Sequence, residues 1–272
     1  MSATTGKLVW DESGKRFYQT GVRKGVLYVR NGNTYPNGVA WNGLTAVTES
    51  PEGAEPTDIY ADDIKYLSIR SAENYKATIE ALFSPDEFDE CDGSVSVIPG
   101  MRISGQARKP FGFSWQTRLG NDELFEEYGY VIHVIYGATV SPSEKNYQTI
   151  NDSPETMNLS WEIDTIPVPV TGHRATAHLS FDSTELKPAQ LTALEAALYG
   201  TDGTYIETED TEPQAGKTYY TKSGETYTEF TGEEFATGTT YYEMSAGTVA
   251  HLPMPDEIIS LLQAADPDNP NP

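Results

Sequence analysis

Four histidines, one cysteine and a short run of carboxylates are the residues of this chain whose types suit them to chemistry. His133, His173, His178 and His251 fall in separate strand and loop segments, without a His-Glu-x-x-His pair or any other metal-ligand spacing. His133 stands within an apolar strand pattern, where a partly buried, hydrogen-bonded histidine is a better reading than a ligand. The Gly-x-Ser-x-Gly elbow, the phosphate loop and the dinucleotide-binding glycine pattern are all absent. A Ser-His-Asp triad is a matter of geometry, and nothing in the sequence argues for one. Cys91 sits among Asp86, Glu87, Asp89, Glu90 and Asp92. Their charge raises a thiol pKa, which makes Cys91 a poor nucleophile. The same carboxylates suit Ca²⁺, but Phe88 occupies the first EF-hand position counted back from Gly93 and no closing glutamate follows. A solvated acidic turn is expected there. No catalytic, cofactor-binding or metal-ligating residue is expected, and the chain does not read as an enzyme.

The elements that would hold these residues are mostly strands. Met157, Leu159, Trp161 and Ile163 alternate with Asn158, Ser160, Glu162 and Asp164, which puts the two sets on opposite faces of a half-buried strand. Phe111–Arg118 and Ala175–Asp182 alternate in the same way, each with one face expected in water. Further β-like runs are Val22–Val29, Lys65–Arg70, Lys76–Phe83, Val95–Ile103 and Tyr130–Val140, separated by turns such as Asn31-Gly32, Asn42-Gly43 and Pro99-Gly100. Such a series predicts a mainly β protein, an antiparallel sandwich or barrel-like fold. Two flanking helices are expected, Pro188–Tyr199 with a stripe of Leu191, Leu194 and Leu198, and Met254–Ala265 with acids in its first turn.

Charge narrows the function. The chain has 272 residues, 41 acidic and 18 basic, for a net charge of −23, and 13 of the basic residues lie at or before Arg118. A surface of this sign repels phosphate and excludes a grip on nucleic acid. A single cysteine excludes an intramolecular disulfide framework. No apolar run is long enough to span a membrane, and Met1–Trp10 lacks the apolar core of a secretory signal.

One segment differs in composition. Residues 204–245 are rich in Tyr, Thr and Glu, and Gly216-Lys-Thr-Tyr-Tyr220 recurs as Gly238-Thr-Thr-Tyr-Tyr242. Two copies fall short of a solenoid. They predict a small β module inserted into a body made of 1–203 and 246–265, with one tyrosine of each pair inside and its neighbour outside. Asp266–Pro272 has nothing to bury and is expected to be disordered.

A wider resemblance is carried by several segments in order: Lys7–Asp11, Arg16–Tyr28, Gly38–Thr45, Ala61–Tyr66, Pro85–Gly93 and Gly137–Lys145. Together they resemble the major tail (tail tube) proteins of long-tailed phages and prophages of Gram-positive bacteria, over about residues 6–202 and 246–265. The resemblance implies a virion structural protein, assembled in the host cytoplasm, whose homo-hexameric rings stack into a hollow tube for DNA ejection. It also implies contacts with the tape measure, tail terminator and distal tail proteins, and no cofactor. Four strands per subunit would close a ring of about 24 strands around a bore on the order of 30–40 Å, wide enough for a duplex. Asn158, Ser160, Glu162 and Asp164 are the expected lumen residues. A long loop or hairpin between Val29 and Lys65, polar in its middle, is expected to reach a neighbouring subunit or ring, with Trp41 and Leu44 as anchors and Glu49, Glu52 and Glu55 along it. The other class of function the sequence allows is a monomeric surface- or carbohydrate-binding module, using the tyrosines of 204–245 as stacking platforms.

Overall fold

The strand patterns resolve into eighteen strands and three α-helices among the described residues of a computed structural model, namely 8–53, 55–143, 145, 149, 156–214 and 216–268. The first strands are β1 (Phe17–Val29), β2 (Gly38–Trp41), β3 (Leu44–Glu49), β4 (Glu52–Gly53), β5 (Pro56–Ala61), β6 (Ile64–Arg70), β7 (Glu73–Asn74) and β8 (Lys76–Ala81). Helix α1 (Asp89–Asp92) precedes β9 (Ser94–Ile98), β10 (Met101–Ser104), β11 (Phe111–Asn121), β12 (Phe125–Val140), β13 (Leu159–Thr165) and β14 (His178–Asp182). After α2 (Pro188–Tyr199) come β15 (Tyr205–Glu207), β16 (Tyr219–Ser223), β17 (Thr226–Phe230), β18 (Tyr241–Met244) and α3 (Pro255–Ala264).

The main sheet runs β2-β1-β11-β12-β13-β8-β3, antiparallel at every pairing, and it does not close into a barrel. It folds over on itself where β12 changes partner. Residues 131–135 of β12 pair with β14, and Ala138–Val140 pair with β13. Gly137 stands between the two with φ +60°, and a Cβ there would run into the Ile166 carbonyl oxygen. Only glycine lets the strand turn from one layer into the other at this point.

Two cores result. Leu27, Trp41, Ile79, Phe88, Phe113, Trp161 and Ile163 pack between the two halves of the folded sheet. Tyr28, Ile132, Val134, Tyr136, Leu194, Leu198 and Ile258 pack between the sheet and helices α2 and α3. The face of β11 expected in water is therefore covered, and Ser114 and Gln116 are fully buried. Alternation could not show this, because the second layer is made by helices that begin 72 and 139 residues after Gln116. Ser114 lies 3.2 Å from the Tyr28 hydroxyl and Gln116 Nε2 donates to the Tyr199 hydroxyl at 3.1 Å, while Gln116 Oε1 has no partner among the described residues.

Both helices match their sequence signals. Pro188 opens α2 and Pro255 opens α3, each in the first turn where its missing N–H is not needed. The start of the expected free tail is held, since Lys187 pairs with Asp266 and with Asp268 at 2.8 Å. Residues 269–272 of that tail lie outside the described residues. No helix among the described residues is long and apolar enough to cross a membrane.

Candidate functional site

The residues expected to line a lumen share one face of a four-stranded sheet. Strands β13, β8 and β3, joined by the end of β12, turn Trp161, Ile163, Ile79 and Ala81 into the first core. Their other face carries Asn158, Glu162 and Asp164 exposed, with Ser160 half-buried. Register sets Asp164 opposite Lys76, Glu162 opposite Thr78 and Ser160 opposite Glu80, so the polar face extends across neighbouring strands. Asn158 is fixed from both sides: its amide donates to Glu80 at 2.7 Å and its carbonyl accepts from Thr45 at 2.8 Å. Lys76 bonds Glu52 at 2.7 Å, and that bond, with the Asp164 and Glu162 charges, holds its pKa above the usual lysine value. Among the described residues the one cation on this face is already paired, and what remains is an acidic face without a free phosphate-binding group.

Of the loop expected between Val29 and Lys65, β2 and β3 are instead part of the main sheet, and only the chain beyond Glu49 leaves it. Beyond Glu49 the chain forms the short β4–β7 ladder and then the β5–β6 hairpin, neither of which joins the main sheet. Ile59, Tyr60, Ile64, Tyr66, Leu67 and Ile69 are all exposed on this hairpin, at 40% to 69%. Trp41, expected as an anchor for a partner, is instead 2% exposed, packed against Phe88, Phe113 and Trp161, with its indole N–H donating to the Phe83 carbonyl at 2.8 Å. A tryptophan between two strand signals is drawn inward because its area stabilises most when buried. Leu44 packs half-buried on the same core. Glu52 and Glu55 are exposed, while Glu49 stands beside His133 and His178.

The acidic loop is not a bare solvated turn. Phe88 and Cys91 plug the core, and burial, reinforced by the Glu90 charge, pushes the Cys91 thiol up to about 12. Arg102 pairs with Asp86 at 2.6 Å and with Asp89, Lys109 pairs with Glu90, and Lys145 pairs with Asp92 at 2.6 Å. Basic partners thus take four of its five carboxylates. The adjoining β9–β10 hairpin exposes Val95, Val97, Ile98, Met101 and Ile103.

Residues 205–244 form a separate four-stranded sheet in the order β15-β18-β16-β17. Tyr219 and Tyr241 are buried against Phe230 and Phe235. On the other face Tyr205 stacks on Tyr227 at 3.9 Å, with Tyr220 and Tyr242 edge-on around them. The ends of the segment meet, since Ser245 N donates to the Thr204 carbonyl at 2.8 Å.

The sequence matches no known protein-family profile, and no curated protein matches it either. The grouping of Glu49 with His133 and His178 was not legible in the sequence, because residues 84 and 45 positions apart meet only through the pairing of β12 with β14 and the fold of β3 over them.

Proposed function

We propose that the chain is a structural subunit whose hexameric rings stack into a phage tail tube, a conduit through which DNA passes without binding. The observation that carries this reading is the β5–β6 arm, a two-stranded ladder with six large apolar side chains in water. An isolated hairpin is marginal in water, and a patch of this kind marks a surface that another protein covers. The partner is a second copy of the chain. The β9–β10 hairpin supplies a second, different apolar patch on the same molecule, and contacts between unlike patches generate rings and filaments. The acidic sheet face, with Asn158, Ser160, Glu162 and Asp164, would line the bore, where phosphate repulsion keeps the duplex sliding. Virion location and assembly in the host cytoplasm follow from the same proposal.

A second reading, a monomeric carbohydrate-binding module, is favoured by one observation, the half-exposed Tyr205, Tyr220, Tyr227 and Tyr242 face. Sedimentation velocity over a concentration series separates the two. A hexamer or larger polymer supports the tube; a monomer at every concentration that binds glycan supports the module.

A further inference from the structure

At the open end of the first core, four rings stand in series. Trp115 stacks on His133 at 4.9 Å, His133 lies 5.5 Å from His178, and Tyr75 stacks on His178 at 5.0 Å. They come from β11, β12, β14 and the residue just before β8. His133 Nε2 is engaged by the Thr117 hydroxyl at 3.1 Å, which leaves Nδ1 facing the neighbouring histidine. His133 Nδ1 and His178 Nε2 are 3.3 Å apart. Glu49, the last residue of β3, places Oε1 at 3.9 Å from the first nitrogen and 4.0 Å from the second.

Those three distances define a triangle whose centre is about 2.2 Å from each corner, close to the ordinary zinc–nitrogen and zinc–oxygen bond lengths of about 2.0–2.2 Å. Two imidazoles and one carboxylate are a donor set for a borderline divalent transition ion, with a further position left for water. The Thr117 contact is the outer hydrogen bond that orients a metal-binding histidine. The Tyr75 hydroxyl is buried beside the Glu49 carboxylate.

We propose that Glu49, His133 and His178 form a binding site for a divalent transition-metal ion of the zinc class. Its place in the fold gives it a task. Glu49 is where the chain leaves the main sheet for the β4–β7 ladder and the β5–β6 arm, and Tyr75 is where it returns. An ion here ties the Glu49 end of the arm's base to β12 and β14, beside the Tyr75 end stacked on His178, and so fixes the direction in which the arm projects. The site stands whether or not the chain builds tubes.

The test uses the full chain, stripped with chelator and titrated with Co²⁺ and then Zn²⁺, alongside the variants Glu49→Gln and His178→Gln. Circular dichroism of each variant reports that it is folded. Glu49 is 41% exposed at its side chain, so Glu49→Gln keeps the test open even if His178→Gln does not fold. The expected result is one Co²⁺ per chain with the visible absorption bands of a nitrogen-coordinated, low-symmetry site, displaced by Zn²⁺, and a Zn²⁺-dependent rise in melting temperature. Each variant should weaken binding by at least about a hundredfold, since the loss of an outer partner alone costs 10–100-fold. Absence of binding to the parent chain would overturn the site and leave the imidazole pair as a hydrogen bond. Equal affinity in parent and variants, reporting only scattered surface carboxylates, would overturn it as well.

Discussion

Replacing Leu67 and Ile69 together by aspartate is expected to abolish polymerisation and leave the fold intact. The two side chains share one face of the arm, with Ile59 opposite Leu67 and Thr57 opposite Ile69. Leu67 is 40% and Ile69 55% exposed, so about half of each is free to be covered by a neighbour. Complete burial of a Leu or Ile side chain stabilises by about 1.5–3 kcal/mol, so covering half contributes about 1 kcal/mol per residue. Losing both weakens each contact by about 2 kcal/mol, roughly thirtyfold. A carboxylate forced into the same contact adds a desolvation penalty of several kcal/mol. Repeated around a ring and along a stack, that loss removes the tube and does not merely shorten it. In the monomer both positions already face water, where such changes stay within about 0.5 kcal/mol. Sedimentation velocity and negative-stain microscopy at matched concentration read assembly, and a thermal melt reads the fold. Normal tubes from a variant with an unchanged melt would refute the reasoning and remove the arm from the assembly contacts.

Four other outcomes follow from the same structure. Reversing charge with Glu162→Lys and Asp164→Lys should leave stability unchanged but make assembled protein retain duplex DNA in a salt-sensitive way, measured by cosedimentation. Excising Thr204–Met244 and rejoining the chain between Gly203 and Gly247 should give tubes of the same diameter by microscopy; failure to assemble would put the segment at a subunit contact. Tyr28→Phe removes the 2.7 Å bond to the Leu198 carbonyl that docks α2 on the sheet, and denaturant titration should show a loss of about 1–2 kcal/mol. Desolvation holds both His133 and His178 below the usual imidazole value of 6.5, assisted at His133 by the charge of His178 and opposed there by Glu49. Below pH about 6.5 the unfolded chain therefore takes up protons that the folded pair resists, and the stability present above that pH is lost as pH falls. Melts in chelator from pH 7 to pH 5 should show the decline, and His178→Gln should flatten it.

The sequence was most informative where one face of a strand meets water. Trp161 and Ile163 alternating with Glu162 and Asp164 gave both the strand and its faces, because burial on one side only writes a period of two. Proline at the start of α2 and α3 marked both helices for a similarly local reason. Buried strands escaped the same logic: Ser114 and Gln116 look like a wet face until Tyr28 and Tyr199 supply their partners. Trp41 is an instance of the reverse, a side chain next to a polar stretch whose burial is decided by Phe88 and Phe113. In residues 204–245 the repeated tyrosine pairs called for one member of each inside, since adjacent residues on a strand point to opposite sides, and burial assigns that place to Tyr219 and Tyr241. The Glu49, His133 and His178 group left no local trace. It depends on β12 exchanging β14 for β13 at Gly137, a tertiary event with a single glycine as its only mark.

Cryo-electron microscopy of the purified chain at high concentration decides whether it builds a tube around the acidic face. The expected result is sixfold rings stacked into a tube, with the β13–β8–β3 face and its Glu162 and Asp164 carboxylates toward a bore on the order of 30–40 Å. Particles that remain single chains at every concentration, or an assembly with that face on its outer surface, would contradict it.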